Sequence, residues 1–187
     1  MHSQEGWCVW VTGLPGSGKS TIANLLSKKL TSKNIHSQLV SVDMLRHAIT
    51  PKPTYSEEER DIVYAALVFA ARLLTENGAN VIIDATGNRR RYRETARKQI
   101  RKFIEVYLRC PIDLCIGREA QRKNTRLAPR EIYKKGITGK SGTVPGINVP
   151  YEAPVHPELI LHTDRLSADE SADSIINTIM ELYHQRR

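Results

Sequence analysis

Cysteine and long apolar runs are scarce in this chain, and each scarcity excludes a class of protein. Only three cysteines occur among 187 residues, and Cys110 and Cys115 lack the spacing of a zinc knuckle. We expect the cysteines to be reduced core residues, as is usual in the cytosol. No apolar run reaches the roughly 18 residues of a membrane-spanning helix. Residues 1–5 lack the basic and apolar regions of a secretion signal, which predicts a cytoplasmic protein with no membrane partner.

Acidic residues are also in the minority. Asp and Glu number 20 against 28 Lys and Arg, which leaves a net charge of +8. The bases concentrate in residues 89–102 and 118–135, and neither segment interleaves aromatics as a groove for single-stranded nucleic acid would. Each basic segment is expected to be a helix face exposed to solvent or, if it lies near a phosphate site, a lid that holds polyphosphate. A small anionic substrate is therefore favoured over nucleic acid. The sequence leaves open whether the protein forms a homodimer.

Short apolar runs alternate with segments of helical periodicity along the chain. The predicted strands cover residues 7–12, 38–42, 80–88, 103–108 and 159–163. This alternation predicts an α/β fold with a doubly wound, five-stranded parallel sheet and helices on both faces. At this length the chain is most simply a single domain, residues 1–187.

A glycine-rich phosphate-binding motif, G-x-x-x-x-G-K-[ST], lies between the first predicted strand and a helical pattern. Its residues are Gly13, Leu14, Pro15, Gly16, Ser17, Gly18, Lys19 and Ser20, and Thr21 follows in the helix. Glycines allow successive N–H groups to converge on an anion, and the helix N-terminus adds partial positive charge. Lys19 is expected to reach the β- and γ-phosphates, and Ser20 to ligate Mg²⁺. The motif predicts binding of ATP, or of GTP, with Mg²⁺.

Two carboxylates follow predicted strands, at the sheet edge where ligands bind in open parallel sheets. Asp43 follows the second strand and is our first candidate for the general base, with Arg46 one helical turn later as an anion clamp. Asp84 ends the third strand and is the first candidate for an outer-shell metal carboxylate and the second for the base. A helix-capping role is the alternative for each aspartate.

Two further segments frame the predicted site. Ser56 and Glu59 have the spacing of a capping box that opens a long, largely buried helix, with Arg60 in its first turn. Residues 124–154 are rich in Gly, Pro and bases, which is typical of a lid or binding loop. We place the lid at about residues 118–154.

Several motifs resemble the adenylylsulfate (APS) kinases, a family of P-loop kinases, over nearly the whole chain. They are the phosphate loop, residues 103–107, Cys115 with Arg118, residues 132–135 (Ile-Tyr-Lys-Lys) and residues 150–154 (Pro-Tyr-Glu-Ala-Pro). The resemblance implies transfer of the γ-phosphate of ATP to the 3′-hydroxyl of APS, which gives PAPS. It also implies nucleotide contacts by Arg118 and substrate contacts by Asp43, Arg46, Arg60, Lys134 and Lys135.

The chain departs from this family at several acceptor positions. Met44, Val63 and Ala66 replace polar or charged residues, and Asp84 to Asn88 replace a segment with an aromatic that stacks on the substrate adenine. The middle of the chain is similar to polynucleotide-kinase-like P-loop kinases, in which the Asp of Asp-x-x-Arg is the base. The alternative function is thus a kinase for another anionic alcohol, such as a nucleotide-linked compound or a polynucleotide end. An ATP-dependent switch is a third hypothesis, which Asp43 and Arg46 disfavour.

Overall fold

A computed structural model describes residues 5–122 and 128–183 of the chain. The strands are β1 (Cys8–Gly13), β2 (Ser37–Ser41), β3 (Asn80–Asp84), β4 (Phe103–Arg109) and β5 (Leu159–His162). The helices are α1 (Lys19–Ser32), α2 (Val42–Ile49), α3 (Glu57–Glu76), α4 (Arg90–Gln99), α5 (Ile112–Ala120), α6 (Ile132–Ile137) and α7 (Ala168–Tyr183). None of the helices in these two ranges is long and apolar enough to cross a membrane.

The five strands form one sheet in the order β2-β3-β1-β4-β5, and every neighbouring pair is parallel. The predicted five-stranded parallel sheet is confirmed. Because β1 lies at its centre, the phosphate loop leaves the middle of the carboxyl edge. The register pairs Asp84 with Val11 on one side and with Ser41 on the other. The two predicted acidic positions therefore lie beside the loop.

Each face of the sheet carries its own apolar core, as alternation along a buried strand requires. Val9 and Val11 point into the core formed with α1 and α7, whereas Cys8 and Trp10 point into the core formed with α3 and α4. All four side chains are fully buried. Burying a residue of this size stabilises a fold by roughly 1.5–3 kcal/mol. The helices on both faces agree with the predicted doubly wound architecture.

Helix α3 differs from its prediction on one side. Ser56 caps it as predicted, because its hydroxyl accepts a hydrogen bond from the Glu59 N–H at 3.2 Å. The expectation of a largely buried helix was wrong for one stripe: Ile62, Phe69 and Leu73 are 59%, 54% and 41% exposed. The helical period puts these residues on the face opposite the core.

Two predictions along the chain also need correction. Strand β3 ends at Asp84, so residues 85–88 form a loop at the edge of the sheet. The predicted loop 124–154 contains helix α6, whose Tyr133 is buried against Cys110 and Cys115, while residues 124–127 lie outside the described range.

Candidate active site

The phosphate loop runs from the end of β1 to the start of α1 and depends on glycine at defined points. Gly16 and Gly18 have φ angles of 81° and 102°, which favour glycine strongly. A Cβ on Gly16 would lie 2.3 Å from the Cys115 carbonyl oxygen, so helix α5 packs directly on the loop backbone. Any larger residue at this position would push the loop away from α5.

Lys19 begins helix α1, and its ammonium group folds back over the loop. Its Nζ donates to the carbonyl oxygens of Gly13 at 3.0 Å and Leu14 at 2.9 Å. Burial lowers the pKa of Lys19, and the negative charges of Asp84 and Asp43 oppose that change. The lysine is thus held between the loop and the two carboxylates.

Asp43 and Asp84 lie beside each other at the carboxyl edge of the sheet. Asp43 lies in the first turn of α2 and Asp84 at the end of β3. Burial raises the pKa of Asp43, and the Asp84 carboxylate beside it raises that pKa further. Among residues 5–122 and 128–183, no hydrogen bond to either carboxylate occurs. A carboxylate that accepts no hydrogen bond is free to bind a cation or to accept a proton. With two such groups side by side, one can do the first and the other the second.

A cavity of about 610 Å³ joins the loop to these carboxylates. It brings together most of the predicted site residues: Pro15, Gly16, Ser17, Gly18, Lys19, Ser20, Thr21, Asp43, Arg46, Arg60, Asp84, Arg118 and Lys135. Gly13 and Leu14 lie behind it, where their carbonyls receive Lys19. Lys134 points elsewhere, because it is exposed and pairs with Glu131 at 3.1 Å.

The two predicted acceptor arginines have different surroundings. Arg46 is buried and forms an ion pair with Glu59, which the sequence analysis did not anticipate for an anion clamp. Arg60 is also buried, and it donates to the Thr143 carbonyl oxygen. Within the described ranges Arg60 forms no ion pair with a carboxylate. It is therefore the better-placed cation for an anionic acceptor.

The lid packs on the nucleotide side of the cavity. Tyr133 of α6 donates its hydroxyl to the Pro15 carbonyl oxygen at 2.8 Å. Gly146 approaches so closely that a Cβ there would lie 2.8 Å from Leu14 Cδ2. Arg118 donates to the Thr163 carbonyl oxygen at 2.7 Å. The predicted lid thus contacts the phosphate loop directly.

Two tyrosines that line the cavity were missed by the sequence analysis. Tyr55 precedes the cap of α3 and has a φ of 58°, which is uncommon for a residue other than glycine. Tyr64 lies inside α3 and accepts a hydrogen bond from the Gly87 N–H at 2.8 Å. The only signal for Tyr55 was an aromatic between a Pro-rich loop and a helix cap. These rings give the cavity an aromatic surface, although residues 84–88 lack the aromatic of the family segment that they replace.

The two basic segments have different roles in the structure. In the first, four arginines of α4 and its N-cap pair with carboxylates: Arg89 with Glu57 and Glu152, Arg91 with Glu57 and Asp61, Arg93 with Glu105, and Arg97 with Glu105 and Glu158. In the second, Arg118, Arg122 and Lys135 line the cavity. The first segment is therefore largely neutralised, and a polyphosphate-holding role fits only the second.

Comparisons with known proteins agree with this geometry. The family model for adenylylsulphate kinase matches residues 5–162. The adenylyl-sulfate kinase of Halothermothrix orenii is 34% identical over 97% of this chain and 93% of its own length. The solved structure of the Mycobacterium tuberculosis APS kinase with AMPPNP and APS has a TM-score of 0.82 and 33% identity, over 94% of this chain and 98% of its own. A shikimate kinase from Acinetobacter baumannii, at 16% identity over 97% of both chains and a TM-score of 0.61, shares the fold.

Proposed function

Since the chain belongs to the adenylylsulphate kinase family, we propose that it phosphorylates the 3′-hydroxyl of adenylylsulfate with ATP, which gives PAPS and ADP. The observation that carries this proposal is one cavity that joins a complete phosphate loop to Asp43 and Arg60. The side of the cavity formed by α2, α3 and the loops before α3 and after β3 is the acceptor wall. A nucleoside triphosphatase that acts as a switch needs the loop but no acceptor wall.

The donor half of the reaction rests on the phosphate loop. Its N–H groups and the N-terminus of α1 hold the phosphates, and Lys19 follows the charge that develops on the γ-phosphoryl group. Ser20 and Asp84 line the same cavity and are oxygen ligands of the kind that Mg²⁺ prefers. Bound there, Mg²⁺ would neutralise phosphate charge.

The acceptor half rests on Asp43 and Arg60. Asp43 accepts the proton of the 3′-hydroxyl as the oxygen–phosphorus bond forms and ADP leaves. Its raised pKa suits a base that must take a proton late in the step. Arg60 supplies a buried positive charge for the anionic end of adenylylsulfate. Arg118, Arg122 and Lys135 complete the site from the lid side and exclude water.

The test is a coupled assay of ADP release with adenylylsulfate, compared with phosphorylated nucleosides and oligonucleotide ends. We expect acceptor-dependent ADP release to be highest with adenylylsulfate and product to carry the new phosphate on the 3′-oxygen. Turnover with another anionic alcohol and none with adenylylsulfate would overturn the substrate while keeping the kinase. Equal ATP hydrolysis with and without every acceptor would overturn the kinase as well.

A further inference from the structure

Glu59 is a buried carboxylate that receives an unusual number of hydrogen bonds. It is 8% exposed and pairs with Arg46 through one oxygen. The other oxygen accepts from both the N–H and the hydroxyl of Thr54 and from the N–H of Tyr55 at 3.0 Å. The Thr50 hydroxyl lies 3.4 Å from the first oxygen. Arg46 belongs to α2, and the other donors belong to the segment between α2 and α3, which borders the acceptor side of the cavity.

Two of the groups that Glu59 holds line the cavity themselves. The Arg46 guanidinium carbon lies 4.7 Å from the centre of the Tyr55 ring, so the cation and the ring stack on each other. Arg46 is 5% exposed, and its Nε has no hydrogen-bond partner within the described ranges. The stacked pair therefore presents an aromatic surface to the cavity, with the buried Arg46 cation packed against it.

Tyr55 occupies a backbone conformation that needs support. Its φ of 58° lies in the left-handed region, which costs energy for a residue with a Cβ. The hydrogen bonds from Thr54 and Tyr55 to Glu59 fix the chain in this conformation. Without the carboxylate, the backbone that orients the Tyr55 ring would lose its anchor.

We propose that Glu59 is a positioning residue, which holds Arg46 and Tyr55 together as the surface against which the acceptor is bound. This inference rests on the proposed kinase function, because it assigns the acceptor to that side of the cavity. Glu59 acts through its two neighbours and does not touch the reacting atoms. Its loss weakens binding of the acceptor and leaves the phosphate loop intact.

The ionisation of Glu59 is consistent with a constant structural charge. Burial alone would raise its pKa, but the hydrogen bonds from Thr54 and Tyr55 and the pair with Arg46 lower the pKa to about 2. The carboxylate stays charged wherever the kinase is assayed. Its effect on binding is therefore independent of pH in that range.

The experiment compares Glu59→Gln with wild type in steady-state kinetics, using whichever acceptor of the assay panel supports turnover. We expect the KM of the acceptor to rise by about tenfold, since a charge-assisted hydrogen bond is lost, while the KM of ATP changes less than about twofold. Glu59→Asp keeps the charge and should recover part of the loss. If each variant raised the KM of the acceptor and the KM of ATP by the same factor, the proposal would be overturned.

A destabilised control separates positioning from stability. Leu30→Ala opens a cavity in the core between α1 and α7, away from the acceptor wall, and should lower Tm without a selective rise in the acceptor KM. If Glu59→Gln does not fold, Thr54→Val removes one donor at an exposed residue and carries the same test. An unchanged acceptor KM in the folded variant overturns the proposal. If the wild-type protein turns over another acceptor of the panel but not adenylylsulfate, the substrate assignment is overturned instead.

Discussion

The two walls of the cavity are built in different ways. The phosphate wall is one contiguous segment, residues 15–20, in which backbone groups and Lys19 face the cavity. The acceptor wall combines side chains from α2, the loop before α3, α3 itself and the loop after β3. The first wall depends on local backbone conformation, and the second depends on pairs such as Arg46 with Glu59. Substitutions in the first should therefore affect the chemistry, and many in the second should affect acceptor binding alone.

The largest effect is expected from the phosphate wall. Lys19→Ala should lower kcat by about 10⁴-fold and weaken ATP binding, because a charge that stabilises the transferring phosphoryl group is removed. Steady-state kinetics and ATP titration measure both quantities. Lys29→Ala is the matched control in the same helix, since Lys29 pairs with Asp169 and Asp173 at the surface. Normal turnover in Lys19→Ala would contradict the assignment of the loop.

Asp43 lies between the two walls, and its loss should affect chemistry while sparing nucleotide binding. Asp43→Asn keeps the shape but removes the base, so kcat should fall by ~10²–10⁴-fold with little change in ATP affinity. Asp61→Asn is the control, because Asp61 lies on the surface beside Arg91.

A parallel variant, Asp84→Asn, separates the two candidate roles. If Asp84 holds Mg²⁺, extra Mg²⁺ should recover much of the lost activity, as it raises occupancy of a weakened site. If no Mg²⁺ concentration restored the activity of Asp84→Asn, and Asp43→Asn lowered kcat only slightly, the roles of the two residues would be reversed.

Arg60 tests the acceptor wall by itself. Arg60→Met keeps the length of the side chain but removes its charge, so the acceptor KM should rise by roughly tenfold or more while the KM of ATP stays the same. Arg72→Met in the same helix is the control, because Arg72 pairs only weakly with Glu76 at 3.6 Å. A parallel rise in both KM values would mean that the two walls are not independent.

The contrast between the walls also explains what the sequence could predict. The phosphate loop and the parallel sheet follow from local patterns: glycine spacing, apolar runs and helical periodicity. Asp43 and Asp84 were placed correctly because carboxyl ends of parallel strands share one edge. These features depend on the backbone, which repeats regularly along the chain.

Side-chain partners were not predictable in the same way. The ion pair of Arg46 with Glu59, thirteen residues later in the chain, was not predicted. Arg93 looked like part of an excess of positive charge, although it is fully buried against Glu105. Which charge pairs with which depends on distances that exist only after folding. The positive φ of Tyr55 likewise follows from its bond to Glu59 and from no local glycine signal.

The smallest expected effect concerns the acid stability of the acceptor wall. Because the pKa of Glu59 is about 2 in the folded protein and about 4.3 in an unfolded chain, the unfolded state binds more protons between these values. The stability that Glu59 contributes is therefore complete above about pH 5 and is lost as the pH falls toward about 2. Urea unfolding of wild type and Glu59→Gln should give a constant difference in midpoint between about pH 5 and pH 7, which narrows below about pH 4. A difference that stayed constant down to the lowest pH at which the protein folds would mean that the charge of Glu59 contributes no stability.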